Sequence, residues 1–215
     1  GKPQQGRHLG HRALALARQL PSEYLRMRVL EAAAPHLTPD QMERALEWVR
    51  RFRDEAYQVA VYGALLPHLP SPLREKALDY LLTRANKSRR GEVRAEALAK
   101  LAPFLSAEAF PQALAAVQSI RQGVDRARAL MKLAPYIPEE QWPALLQAAV
   151  LMEPARLRAE LLAELALHLP GSLIEPALEL TNKLEAGEGR ENVRAALAAR
   201  LAALGNIGAA LDLTV

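Results

Sequence analysis

The sequence predicts an all-α protein built as a solenoid of about six antiparallel helix pairs, and three recurrent series of residues predict it. An Ala-Leu or Leu-Leu dipeptide returns at Ala13-Leu14, Ala45-Leu46, Ala77-Leu78, Ala113-Leu114, Leu145-Leu146 and Ala177-Leu178, in steps of 32, 32, 36, 32 and 32 residues. Arg26, Gln58, Arg94, Arg126, Arg158 and Arg194 keep the same beat, with steps of 32, 36, 32, 32 and 36. Endings with a shared proline recur at Ala34-Pro35-His36, Leu66-Pro67-His68, Ala102-Pro103-Phe104 and Ala134-Pro135-Tyr136. Self-similarity at such a period marks a repeat array, in which each copy buries its apolar face against its neighbours. Composition agrees, because 50% of the residues are hydrophobic and only 5% aromatic, a balance that suits close-packed helices better than sheets.

In chain order, the pattern predicts first and second helices over 12–20 and 23–35, 39–52 and 55–67, 72–85 and 92–103, 107–121 and 124–135, 139–152 and 155–168, and 172–185 and 190–204. The opening of the second pair is marked by Thr38-Pro39-Asp40-Gln41, a capping box with proline at the first helical position, and Ser71-Pro72 repeats the cap-then-proline arrangement for the third. In the fourth pair, Phe110, Leu114, Val117 and Ile120 fall at helical spacing. After a break at Gln122-Gly123 the apolar residues again stand three and four apart up to Ala134. Acidic residues gather where second helices start, at Glu23, Asp54-Glu55, Glu92, Asp125 and Glu191, against the positive end of the helix dipole. Pro35, Pro67, Pro103 and Pro135 end second helices, since proline in a helix interior forfeits a hydrogen bond. The core is expected to include Leu30, Leu98, Leu130, Leu162 and Leu197. The third and sixth repeats carry four extra residues, in Arg84–Gly91 and Lys183–Arg190. Each insertion forms either a loop on one face of the array, basic in the first case and acidic in the second, or a helix longer by about one turn.

The repeat leaves no gap for a boundary, so residues 12–204 are expected to form one domain. Residues 1–11 would form a flexible N-terminal segment, and 205–215 a tail or the start of a continuation. The first residue is not methionine and the ending Ile207-Gly208-Ala209-Ala210-Leu211 is apolar, which together predict a piece of a longer chain. The formal charge of +4, from 28 basic and 24 acidic residues with the signs interspersed, gives little support to a polyanion partner. With no cysteine, thiol catalysis and thiolate metal sites are excluded. No apolar run reaches the roughly 18 residues of a membrane span and the N-terminus has no apolar signal core, so a cytoplasmic protein with no membrane partner is expected.

Helix pairs at this spacing, with an arginine early in the second helix and a Leu-Ala-Pro-like ending, resemble HEAT-like α-solenoid repeats. The likeness is carried by Arg94–Leu105, Arg126–Ile137 and Arg26–Leu37 and extends over about 12–204. It implies a right-handed solenoid. The repeats look most like those in the arms of bacterial STAND signalling ATPases, which act as sensors or scaffolds, although no Gly-x-x-x-x-Gly-Lys-Ser/Thr loop occurs in this sequence. The resemblance implies a non-catalytic module that binds a protein or peptide as part of a larger chain or complex. A nucleic-acid-binding or DNA-repair protein of the same architecture is the alternative.

One stripe of the second helices lacks a fixed residue identity, at the positions two and six residues beyond the arginine series. It reads Arg28 and Ala32, Ala60 and Ala64, Glu96 and Lys100, Arg128 and Lys132, Glu160 and Glu164, Ala196 and Arg200, each pair sharing a helix face. In HEAT-like solenoids the second helices line the concave surface, so Arg28, Glu96, Lys100, Arg128, Lys132, Glu160 and Glu164 are the candidate partner-binding residues. The regular arginines read as a ladder bonding carboxylates or helix-end carbonyls of neighbouring repeats, or alternatively as the lining of a ligand groove. His36, His68 and His168 share one repeat position and read as packing residues, because successive copies stand too far apart to hold one metal ion. Trp142 also reads as packing. The basic stretches Arg50-Arg51-Phe52-Arg53 and Arg84–Arg90 could meet phosphate, but Glu160 and Glu164 interrupt a continuous positive path. No nucleophile, base and orienting group can be assembled, so neither enzyme activity nor a cofactor is expected.

Overall fold

The computed structural model describes residues 2–213, and among them every regular element is helical. Helix α1 (Lys2–Gln19) is followed by α2 (Glu23–Ala33), α3 (Pro39–Val49), α4 (Glu55–Leu65), α5 (Ser71–Lys87) and α6 (Gly91–Leu101). The series continues with α7 (Phe110–Gln118), α8 (Gly123–Leu133), α9 (Trp142–Val150), α10 (Ala155–Ala166), α11 (Ile174–Asn182), α12 (Glu188–Ala203) and α13 (Ile207–Asp212). The chain divides into two compact units, Gly1–Leu101 and Ala102–Val215.

Within the N-terminal unit, α1 packs on α2, α3 on α4 and α5 on α6, while α2 meets α4 and α4 meets α6. Within the C-terminal unit, α7 packs on α8, α9 on α10 and α11 on α12, while α8 meets α10, α10 meets α12, and α13 folds onto α12. All five leucines expected in the core are there, with Leu30, Leu98 and Leu197 at 0%, Leu130 at 3% and Leu162 at 4% exposure. Trp142 is buried too.

The prolines act as expected, with a refinement. α2, α4, α6 and α8 each tighten into a single 3-10 turn at Ala34–His36, Leu66–His68, Ala102–Phe104 and Ala134–Tyr136, with the proline as its middle residue. A proline lacks the N–H that another α-helical turn would use, and the tighter turn absorbs the end. Thr38 forms the expected capping box, its side chain accepting from Gln41 N while its own N–H donates to Gln41 Oε1 at 2.9 Å. Ser71 does not cap: Pro70 is the N-cap of α5, and Ser71, already in the first turn, donates instead to Glu75 at 3.3 Å. Because α5 begins one residue early, the Ser71 backbone is helical and its hydroxyl can no longer reach the orphan N–H groups.

The first helix also starts well before residue 12. α1 runs from Lys2 through Gly6 and Gly10, each costing about 1 kcal/mol relative to alanine. Gly10 is buried, and a Cβ there would stand 2.5 Å from Gln41 Oε1 and 3.1 Å from the His36 carbonyl. Its missing side chain is what lets α1 lie against the capping box of α3. Of the C-terminal segment expected over 205–215, residues through Leu213 are described, and Thr214 and Val215 lie outside the described residues, as does Gly1.

The arginine series has one recurring task. Arg26 Nε donates to the Leu20 carbonyl at 2.7 Å, Arg94 Nε to Ala85 at 2.7 Å, and Arg126 and Arg158 to Ile120 and Val150 at 3.2 Å. These carbonyls lie at or just beyond the end of the preceding helix in the same repeat, which corrects the expectation of acceptors in neighbouring repeats. A helix leaves its last carbonyls unpaired, and the first turn of the following helix is the closest place from which a donor can reach them. Gln58 does the same where the series lacks arginine, donating to Phe52 at 2.7 Å and Arg50 at 3.2 Å. Arg194 differs, bonding the Leu213 carbonyl at 3.2 Å beyond α13.

Replacing the buried Leu130 by alanine is expected to destabilise the protein by about 2–5 kcal/mol, read as a lowered urea midpoint with an unchanged m-value.

Candidate partner-binding groove

A concavity of about 950 Å³ lies in the C-terminal unit. Its floor is a stripe of alanines on α10, Ala155, Ala159 and Ala163, four residues apart and therefore on one helix face. Beside it on the same helix run Arg156, Glu160 and Glu164. The opposite wall comes from α12 and from the loop that precedes it, with Leu184, Glu185, Ala186, Gly187, Glu188 and Arg190 among the lining residues. The two helices approach closely, since a Cβ on Gly189 would stand 2.9 Å from the Cβ of Ala159. Gly187, at φ 145°, turns the chain from the loop into α12.

This loop is the sixth repeat's insertion. In the third repeat the four extra residues lengthen α5 to 17 residues, whereas in the sixth α11 stops at Asn182 and the surplus falls in the loop and the start of α12. The reason lies in the residues. Arg84-Ala85-Asn86-Lys87 can continue a helix, while Gly187 and Gly189 favour a break.

Four carboxylates and three guanidiniums line the groove. Glu160 is held by Arg156 at 2.8 Å. Arg158 is turned to the Val150 carbonyl and to Glu153, at 3.2 and 3.3 Å. Glu164, Glu185 and Glu188 have no ion pair among the described residues, so the open part of the groove is negative. Arg158 and Arg190 each keep a buried Nε–H with no acceptor, and an unpaired buried donor costs about 1–3 kcal/mol.

The candidate stripe is therefore divided. Glu160 and Glu164 share the groove with Ala196, while Arg128 and Lys132 on α8 do not line it, although their neighbour Met131 does. Arg128 reaches back to the buried Asp125 at 3.4 Å, and Lys132 is exposed. In the N-terminal unit, Glu96 and Lys100 pair with each other at 3.2 Å. The Lys100 stem lies on Gly63 of α4, where a Cβ would come within 2.4 Å of Lys100 Cγ. Arg28 is exposed and lines a separate apolar hollow of about 710 Å³ with Leu9, Leu16 and Leu25. Sequence reading missed the alanine floor, Arg156 and Arg190, while Arg158 lines the groove as the alternative reading of the arginine series allowed; the four-residue spacing of Ala155, Ala159 and Ala163 was the available signal for the floor.

The histidine expectation needs correction, because His36 and His68 are exposed and His168 half-buried. They end 3-10 turns or a helix at the surface, where a proline one residue before His36 and His68 turns the chain outward. Among the described residues no group of three metal-ligating side chains gathers.

Three of the seven basic side chains in Arg50–Arg53 and Arg84–Arg90, those of Arg50, Arg84 and Arg90, are bonded within the N-terminal unit. Arg50 Nε donates to the Tyr62 hydroxyl at 3.0 Å, and Tyr62 stacks on Tyr80 with ring centroids 4.0 Å apart. The Tyr80 hydroxyl donates to Gln58 Oε1 and accepts from Arg84 Nε at 3.0 Å. Arg84 also meets Glu55 at 2.5 Å, Ser88 donates to Glu55 at 2.7 Å, and Arg90 bridges Asp54 at 2.6 Å and Glu92. Glu23 accepts from the Arg53 N–H at 3.0 Å. Burial holds both tyrosine hydroxyls above their ordinary range, against the opposing pull of their arginine partners.

Set against known proteins, the chain matches no protein-family model and no curated protein. No described helix is long and apolar enough to cross a membrane.

Because Tyr62 and Tyr80 keep their protons to higher pH when folded than when unfolded, their contribution is full below the unfolded value of about 10 and is lost as pH rises through the folded values. Chemical denaturation at about pH 9 and about pH 11 is expected to show a fall in stability that shrinks in a Tyr62→Phe, Tyr80→Phe variant.

Proposed function

We propose that this protein is a non-catalytic binding module of HEAT-like repeats, a right-handed solenoid of six helix pairs that serves as the sensor or scaffold arm of a larger cytoplasmic signalling protein. Its partner is a protein or peptide segment carrying basic side chains, held in the groove between α10 and α12. The observation that carries this reading is the groove itself. An alanine floor lets a chain approach closely, and its volume of about 950 Å³ suits a short stretch of polypeptide. Glu164, Glu185 and Glu188 offer unpaired carboxylates to lysine or arginine. The buried Nε–H groups of Arg158 and Arg190 leave donors for backbone carbonyls after a small adjustment of either side chain. The repeat supports the architecture, as do the contacts α2 to α4, α4 to α6, α8 to α10 and α10 to α12, in which second helices meet second helices.

The reading disfavours nucleic acid, because the groove's free charge is negative and polyanion binding needs the opposite. Screening the full chain against a peptide array and titrating the selected peptides by fluorescence anisotropy tests it. Lysine- or arginine-bearing peptides are expected, and Glu164→Lys with Glu185→Lys should weaken them by about tenfold or more, about 1.4 kcal/mol. Both glutamates are exposed, so the unfolding midpoint should stay put. Selection of acidic peptides, or submicromolar and steeply salt-dependent binding of labelled DNA or RNA, would overturn the proposal.

A further inference from the structure

A second concavity lies in the N-terminal unit and has the opposite charge. Arg18, Arg26, Arg44 and Arg51 line a pocket of about 320 Å³ together with Glu47 and the half-buried Trp48. Only Arg26 is committed: its Nε bonds the Leu20 carbonyl at 2.7 Å, and its guanidinium lies 5.9 Å from the centre of the Trp48 ring. The side chains of Arg18, Arg44 and Arg51 are exposed and make no ion pair among the described residues. Four guanidiniums against one carboxylate leave a local excess of three positive charges in one small cavity.

The repeat shows that the fold does not require this charge. Three repeats later, 100 residues on, the C-terminal unit has a pocket at the same repeat positions. There Arg126 stands for Arg26 and again bonds its helix-end carbonyl. Gln118 replaces Arg18, Ala144 replaces Arg44, Ala148 replaces Trp48, and Leu151 replaces Arg51. Both pockets lie beside the ends of first helices, so the attraction of cations to helix C-termini applies equally to each. It does not explain why one is apolar and the other carries three further arginines. Packing tolerates either set, and like charges crowded together repel unless an anion joins them.

We infer that the Arg18, Arg26, Arg44, Arg51 pocket binds a compact phosphate-bearing anion, a phosphate monoester dianion or a diphosphate. Arginines of α1, α2, α3 and the residue after its C-cap line one cavity, so a tetrahedral group there can be met from several sides, and the planar fork of arginine suits phosphate oxygens in pairs. A single carboxylate would balance only one of the three excess charges. The cavity is at the small end for ligand sites, which fits a phosphate group better than a long chain. The inference is independent of the groove on α10.

Pyrophosphate is the probe, titrated into the full chain by calorimetry, with acetate as the control anion. The decisive variant is Arg18→Gln, Arg44→Ala, Arg51→Leu, since it installs the residues that the equivalent pocket already carries. Saturable binding below about 1 mM, absent with acetate and weakened about tenfold or more in the variant, is the expected result. Trp48 fluorescence should change over the same range. An absence of saturable binding by the wild-type chain, or equal affinity in a variant whose circular dichroism shows it folded, would overturn the inference.

Discussion

The bond from an early residue of one helix to the carbonyls at the end of the helix before it is the constraint on which the rest of each of the first five repeats depends. Without Arg26, Arg94, Arg126 or Arg158, or the amide of Gln58, the carbonyls of Leu20, Ala85, Ile120, Val150 and Phe52 would each lose a donor. Part-buried carbonyls with no partner cost more than a surface bond returns. The same side chains also reach the following repeat: Arg26 lies by the Trp48 ring, Gln58 accepts from Tyr80, and Arg126 approaches Met152 Sδ at 3.5 Å. One residue thus closes its own helix pair and touches the next, which explains why its spacing follows the repeat so strictly.

With closure assigned to one position, the neighbouring positions are free to differ. The pocket around that residue holds arginines and tryptophan in one copy and glutamine, alanine and leucine in another. Around Gln58, where the second repeat meets the third, the equivalent region is filled by the Tyr62 and Tyr80 stack and its arginines. A repeated backbone therefore carries a positive pocket, an apolar pocket and a filled polar network while a side chain at one repeat position, arginine in the first two and Gln58 in the third, closes the helix pair. Local chemistry resides in the variable positions, as expected of functions carried on a common fold.

The insertions show how four residues with different propensities lead to different structures. In the third repeat they lengthen α5, and the extended end is held by Glu55, which takes both Arg84 and Ser88, and by Asp54, which takes Arg90. In the sixth, Gly187 turns the chain between α11 and α12, and the surplus becomes the wall of the acidic groove. The first insertion pairs Arg84 and Arg90 within the unit and leaves Lys87 and Arg89 exposed, whereas the second leaves Glu185 and Glu188 toward solvent.

The sequence by itself determined the helices, their approximate limits, the prolines that close them and the leucines that fill the core. Helical periodicity is a local property, and Leu30, Leu98, Leu130, Leu162 and Leu197 are buried because spacing alone puts them on the inner face. The capping box at Thr38 was legible for the same reason, since all its atoms lie within four residues. Tertiary structure decided what depends on residues far apart. Gly10 allows α1 to continue because of what lies opposite it, and Ser71 loses its capping role because α5 starts one residue early. Arg28, Glu96, Lys100, Arg128, Lys132, Glu160 and Glu164 form a single series by spacing, yet only Glu160 and Glu164 meet in the groove, because its walls come from Ala159 and Gly189, about one repeat apart. A concavity is made by the approach of two surfaces, and the distance between them is set by packing that no single helix encodes.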